Sequence, residues 1–209
     1  MIIALDLDGL FRDFLGSLFR QLEKDYPGIK LPEVKDLHTW DLENYIEKAD
    51  GTQFTRDELS QYWGYDRVNE VYADADPFPG AIEWFKKIKE YCLEQGHKCI
   101  IITSASKDTV REANAKWLAK TGLDQVADEI YMQKDKYNVE GDILLDDYQR
   151  NLNEWVEVKA SSFPGRRIAV AYDCPWNKEW KGPRVKSFSS FIEFLKTVDE
   201  FEKTQEKAV

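Results

Sequence analysis

Cysteine is scarce in this chain of 209 residues, and Cys92, Cys99 and Cys174 make neither an even set nor a C-x-x-C pair. A disulfide framework and a zinc knuckle are therefore not expected, and a reducing cytosol suits the thiols. No apolar run approaches the roughly 20 residues of a membrane span. The stretch after Met1 is broken by Asp6 and Asp8, too early for a secretory leader. A soluble, cytoplasmic protein without a membrane partner is the expectation. Positive charge is also in short supply, with 29 basic residues against 39 acidic ones and a formal net charge of −10. Duplex nucleic acid is thus not an expected partner, and an anionic substrate must be met by a local positive site. Internal repeats are absent.

What is present suffices for a folded core. Hydrophobic residues make up 43% and aromatics 13% of the chain, which excludes a disordered reading. Short apolar runs recur at Ile2–Leu5, Cys99–Ile102, Ile130–Met132, Ile143–Leu145 and Ile168–Ala171. Their hydrophobicity is continuous, the mark of strands covered on both faces, so an α/β fold with a parallel sheet between two helical layers is expected. Helical stripes lie between them. Pro79 is placed to open a helix carrying Ala81, Phe85, Ile88 and Cys92, with Gly96 at its end. Val110, Ala113, Trp117 and Thr121, closed by Gly122, repeat the pattern.

Roughly seventy residues separate the first strand from Pro79, too many for an ordinary connection. A small helical cap inserted after strand 1 accounts for them, giving a core of residues 1–9 and 77–209 and a cap of residues 10–76. Phe11, Phe14, Leu15, Leu18 and Leu22 keep helical spacing, and Thr55 and Glu58 form a capping box that opens a helix through Leu59, Tyr62 and Trp63. The charged segment from Glu200 onward reads as a tail.

Four strand ends carry unusual polar groups. Asp6 and Asp8 follow the first strand, and Gly9 permits close approach or a positive φ. Neighbouring carboxylates repel unless a cation shares them, and Mg²⁺ favours such hard oxygen ligands. Thr103 and Ser104 end the second strand, where a hydroxyl and an N–H at a helix start would cradle an anion; capping of that helix by Thr103 or Ser106 is the rival reading. Lys134 and Lys136 lie on a loop after the third strand. Asp146 and Asp147 close the fourth, and either carboxylate offers itself to a metal. Asp173, in "YDCPWN", ends the fifth and reads as support for the site, with Trp176 as a packing residue.

The order Asp-x-Asp, Thr, Lys, Asp-Asp, one set per strand end over residues 6–147, resembles the haloacid dehalogenase superfamily of phosphotransferases. Within it, "DLDGLFRDF", "TWDL", "PFPGA", "KDK", "GDILLDD" and "YDCPWN" are similar to stretches of the 5′(3′)-deoxyribonucleotidases. Arg12 departs from that pattern, since a small residue is usual there. The resemblance implies a Mg²⁺-dependent hydrolase of nucleoside monophosphates, with a small nucleotide as partner and a homodimer left open. It makes Asp6 the nucleophile, Asp8 the acid and base, and Lys136 the group offsetting charge. Gly9, Thr103 and Ser104 would hold phosphate, Lys134 would touch phosphate or base, and Phe14 and Tyr72 would face the nucleoside. Asp6, the Asp8 carbonyl and Asp147 would hold the metal, with Asp146 orienting Lys136 or a bound water. The alternatives are a sugar-phosphate phosphatase of the same superfamily and a nucleotide-binding relative without catalysis.

Overall fold

The computed structural model describes residues 1–157 and 167–206. Six parallel strands form one sheet in the order β3-β2-β1-β4-β5-β6. They are β1 (Ile2–Leu5), β2 (Lys98–Thr103), β3 (Glu129–Met132), β4 (Ile143–Asp146), β5 (Ile168–Tyr172) and β6 (Arg184–Val185). Five lie where continuous apolar runs place them, and alternation of side chains explains why. Ile3, Leu5, Cys99, Ile101, Ile143, Leu145 and Val170 pack on one face, while Ala4, Ile100, Ile102, Leu144, Ala169 and Ala171 pack on the other. The central positions of β1, β2, β4 and β5 are therefore apolar on both faces, and polar residues such as Lys98, Thr103 and Asp146 stand only at strand ends. Helices α3 (Ala81–Glu94), α4 (Asp108–Thr121) and α6 (Phe188–Glu206) supply Phe85, Trp117 and Phe191 to the first face; α5 (Gln149–Glu157) supplies Leu152 and Trp155 to the second.

Between β1 and α3 lie α1 (Phe14–Asp25), α2 (Arg56–Gln61) and two π-type turns, Tyr62–Asp66 and Asn69–Ala73. Asp13 caps α1 by accepting from the Gly16 N–H at 2.9 Å, and Thr55 with Glu58 caps α2 reciprocally. Their apolar faces form a separate cluster through Leu18, Leu22, Leu59 and Val71. That cluster reaches Ala105, Val110 and Cys174, which follow β2 and β5 at the carboxyl edge of the sheet.

Several sequence expectations need correction. Phe11 is not on α1: the chain turns sharply through residues 8–12, and Phe11 stacks on Phe188 at 4.8 Å within the sheet-side core. α2 ends at Gln61, so Tyr62 and Trp63 belong to the following π-type turn. Pro79 does not open α3, because Gly80 at φ 72° forms the junction and the helix begins at Ala81. Residues 200–206 continue α6 instead of forming a tail. β6 is too short to leave an apolar signature.

Candidate active site

Register alone brings the first and fourth strand ends together. Leu5 pairs with Leu145, and the Asp6 N–H donates to the Leu145 carbonyl at 3.0 Å, so Asp6 and Asp146 emerge side by side. Oxygen atoms of Asp6, Asp146 and Asp147 lie within 4.8 Å of one another, all three residues buried. Lys136 is 2% exposed, and its Nζ sits 2.7 Å from both Asp6 Oδ1 and Asp146 Oδ2. Three carboxylates against one ammonium leave negative charge uncompensated, and an all-oxygen donor set of this kind fits Mg²⁺.

The electrostatics follow from burial. Desolvation pushes the Asp6 carboxyl up to about 7 despite the opposing pull of Lys136, with Asp146 and Asp8 adding to the rise. Asp147 is driven well above the usual carboxylate range by the same desolvation, then by Asp146 and Asp6. For Lys136, burial disfavours the charge, but Asp146 and Asp6 outweigh it and hold the ammonium above its ordinary range.

Asp146 and Asp147 differ in their surroundings. Asp146 accepts from Lys136, from the Tyr148 N–H at 2.8 Å and from the Asn151 amide at 3.0 Å, so its lone pairs are largely committed. Asp147 receives the Trp176 indole N–H at 3.2 Å on Oδ2, and its backbone carbonyl accepts from Asn177 at 2.8 Å. A Cβ on Gly9 would lie 2.1 Å from Asp147 Oδ2, and Gly9 has φ +73°, so only glycine fits beneath the acidic cluster. The Gly9 N–H donates to the Arg12 carbonyl at 3.2 Å, which commits it within the turn.

Asp8 stands apart from the trio. Its carboxylate is gripped by the Arg12 fork, Nε to Oδ1 at 2.7 Å and Nη2 to Oδ2 at 2.9 Å, so its nearest neighbour is a cation. Thr103 ends β2 fully buried, and its Oγ1 has no hydrogen-bond partner. Neither Thr103 nor Ser106 caps α4, whose N-cap is Lys107, and Ser104 lies four residues before the helix begins. The expected helix-start cradle is therefore a loop, with one unpaired hydroxyl at its root.

A cavity of about 220 Å³ opens over this cluster, with Asp6, Asp8 and Asp147 at its floor. Ser104 and Lys134 line it, as do Phe14, Trp40, Trp63 and Tyr72 from the helical segment. Phe14 is the first residue of α1 and lies 5.1 Å from Tyr72 and 6.0 Å from Trp63, ring centre to ring centre. Trp40 and Asn151 are groups that sequence reasoning passed over, and Arg12 stands out there only as a departure from the family pattern. "YDCPWN" drew attention to the right segment, but Trp176 looked like packing. Asp173 touches none of the acidic trio; it pairs with Lys178 and Arg184, and Arg184 in turn holds Asn177.

A family model described as 5′ nucleotidase, deoxy (Pyrimidine), cytosolic type C protein matches residues 1–198. The chain belongs to this family. It is 24% identical over 148 residues to the mitochondrial 5′(3′)-deoxyribonucleotidase of Mus musculus, an alignment covering 69% of this chain and 63% of the mouse protein. A Bordetella bronchiseptica protein bearing the same name as an inferred assignment is 24% identical over 180 residues, covering 86% of this chain and 87% of that protein. Among solved structures, the L-2-haloacid dehalogenase of Xanthobacter autotrophicus superposes with a TM-score of 0.54 at 12% identity, covering 93% of this chain and 98% of that one. That likeness establishes the haloacid dehalogenase fold for this member of the nucleotidase family. No helix among the described residues is long and apolar enough to cross a membrane.

Proposed function

We propose that the chain is a Mg²⁺-dependent nucleotidase that hydrolyses (deoxy)ribonucleoside monophosphates to nucleoside and phosphate through an aspartyl-phosphate on Asp6. The observation that carries this reading is the buried Asp6–Lys136–Asp146 pairing, whose Asp6 lines an aromatic-walled cavity. Family membership and the deoxyribonucleotidase relatives support the substrate class. The three unpaired cysteines and the net charge agree with a cytosolic protein acting on small molecules.

Lys136 occupies Asp6 Oδ1, which leaves Oδ2 to attack phosphorus. The new P–O bond forms as the bond to the nucleoside oxygen breaks, and Asp8 delivers a proton to that oxygen. Asp8 then takes a proton from water as the water oxygen attacks phosphorus, and the Asp6–phosphate bond breaks. Asp6, Asp147 and the Asp8 carbonyl are the groups assigned to Mg²⁺, which when bound offsets the charge between carboxylate and phosphate. Asp146, already holding Lys136, keeps that ammonium beside the nucleophile. Thr103 Oγ1, buried without a partner, and Ser104 donate to phosphate oxygens. Phe14, Trp63 and Tyr72 exclude water and pack on the nucleoside.

The test is phosphate release with added Mg²⁺ from a panel of nucleoside monophosphates and sugar phosphates. Turnover of deoxyribonucleoside monophosphates is expected. Turnover of sugar phosphates alone would move the assignment to another substrate class.

A further inference from the structure

We infer that Arg12 is a positioning residue for catalysis: its guanidinium holds the Asp8 carboxylate in the one orientation from which that group exchanges protons with leaving group and water. This rests on the acid and base role given to Asp8 above. Arg12 does not itself border the cavity that Asp8 lines, so it acts through Asp8 and not on substrate.

The geometry is that of a clamp. Both Asp8 oxygens are engaged, at 2.7 and 2.9 Å, by two nitrogens of one rigid planar fork. Each carboxylate oxygen keeps a second lone pair for proton exchange, while rotation about the side-chain bonds is blocked. The anchor belongs to the same turn as its cargo, because the Arg12 N–H donates to the Leu7 carbonyl at 3.0 Å and the Arg12 carbonyl accepts from Gly9. Rings from two separate elements fix the guanidinium in turn, with its carbon 5.0 Å from the Tyr72 ring centre and 5.2 Å from that of Trp117.

Stability does not account for the arrangement. Arg12 is 0% exposed, and its Nη1 has no hydrogen-bond partner. Burying a guanidinium with an orphaned nitrogen is costly, and apolar side chains of similar volume commonly replace buried ion pairs without loss. A charge kept here at that cost is better explained by the orientation it imposes on Asp8. A lysine, with a single point charge, would not reproduce the fork.

The experiment compares Arg12→Met, Arg12→Lys, Asp8→Asn and the Arg12→Met/Asp8→Asn double variant, using a deoxyribonucleoside monophosphate and nitrophenyl phosphate. Thermal unfolding and single-turnover release of the leaving group accompany kcat and KM. Arg12→Met is expected to fold and to lose about ten- to hundredfold in kcat with KM little changed. The loss should be larger for the nucleotide, whose alkoxide needs a proton, than for nitrophenolate, which does not. In the Asp8→Asn background the same substitution should add nothing. Arg12→Lys should fold and show the same kcat-selective loss. Wild-type kcat in either Arg12 variant, a loss confined to KM, or an equal further loss in the double variant would overturn the role of Arg12. If Arg12→Met fails to fold, Arg12→Lys decides by the same criteria. Wild-type turnover in Asp8→Asn would instead refute the role of Asp8, and the inference about Arg12 with it.

Discussion

The indole N–H of Trp176 donates to Asp147 Oδ2 across 3.2 Å, linking the loop after β5 to the end of β4. The bond fixes which way a carboxylate of the acidic trio faces. Trp176→Phe should leave the fold intact and weaken Mg²⁺ binding by about tenfold, in line with the loss of outer partners at other metal sites. Calorimetric titration of Mg²⁺ checks it, and unchanged affinity would count against Asp147 as a ligand.

Gly9 cannot be enlarged. A methyl group there would meet Asp147 Oδ2 at 2.1 Å, on a backbone at φ +73°. Gly9→Ala should lose about 1–3 kcal/mol of stability in a denaturant titration and most of its activity. Wild-type behaviour in both would show that the loop moves freely away from Asp147.

Asp6→Asn keeps the shape of the proposed nucleophile and removes its charge. Phosphate release should fall to background while circular dichroism stays that of the parent protein. Retained hydrolysis would reject the covalent route.

The apo protein should depend on pH in a defined direction. Asp6 has a pKa of about 7 when folded against an ordinary 3.8, so the folded state keeps a proton that the unfolded chain has released. Stability from this group is greatest below about pH 4 and is lost as pH rises through about 7. Mg²⁺ competes with that proton, so the gain in Tm on adding Mg²⁺ should be larger at pH 8 than at pH 6. Equal gains would show that Asp6 is already ionised without metal.

At the amino end of the sheet, Asp199 accepts from Tyr91 and contacts His97 Nε2 at 2.7 Å, tying α6 to α3 and to the start of β2. Asp199→Ala leaves the buried Tyr91 hydroxyl and the His97 Nε2 without this partner, while His97 Nδ1 keeps its contact with the amino terminus. A loss of about 1–3 kcal/mol is expected, with kcat per folded molecule unchanged. Activity falling ahead of unfolding would point to coupling between the two ends of the sheet.

The readable parts of the sequence were those with one dominant cause. Strands covered on both faces spell continuous apolar runs, and an acidic pair directly after such a run has few purely structural explanations, so Asp6, Asp146 and Asp147 stood out. Phe11 was misplaced because its spacing to Leu15, Leu18 and Leu22 matches a helix by coincidence. The Asp13 cap and the turn before it decide where α1 begins. Arg12 stands out in the sequence only as a departure from the family pattern, with nothing to assign it a role. A lone arginine in a loop looks solvated, and only the fold reveals Asp8, Tyr72 and Trp117 closing around it. Trp176 shows the same limit, since an indole that packs and an indole that also donates are spelled alike.

The Trp176 ring also lies 5.1 Å from that of Trp40, at 59° between planes, one residue from the helical segment and one from the strand ends. Two indoles so close and so inclined couple their electronic transitions. Near-ultraviolet dichroism of the unlabelled protein should therefore report any change in that angle, giving an optical signal beside the acidic cluster that owes nothing to turnover.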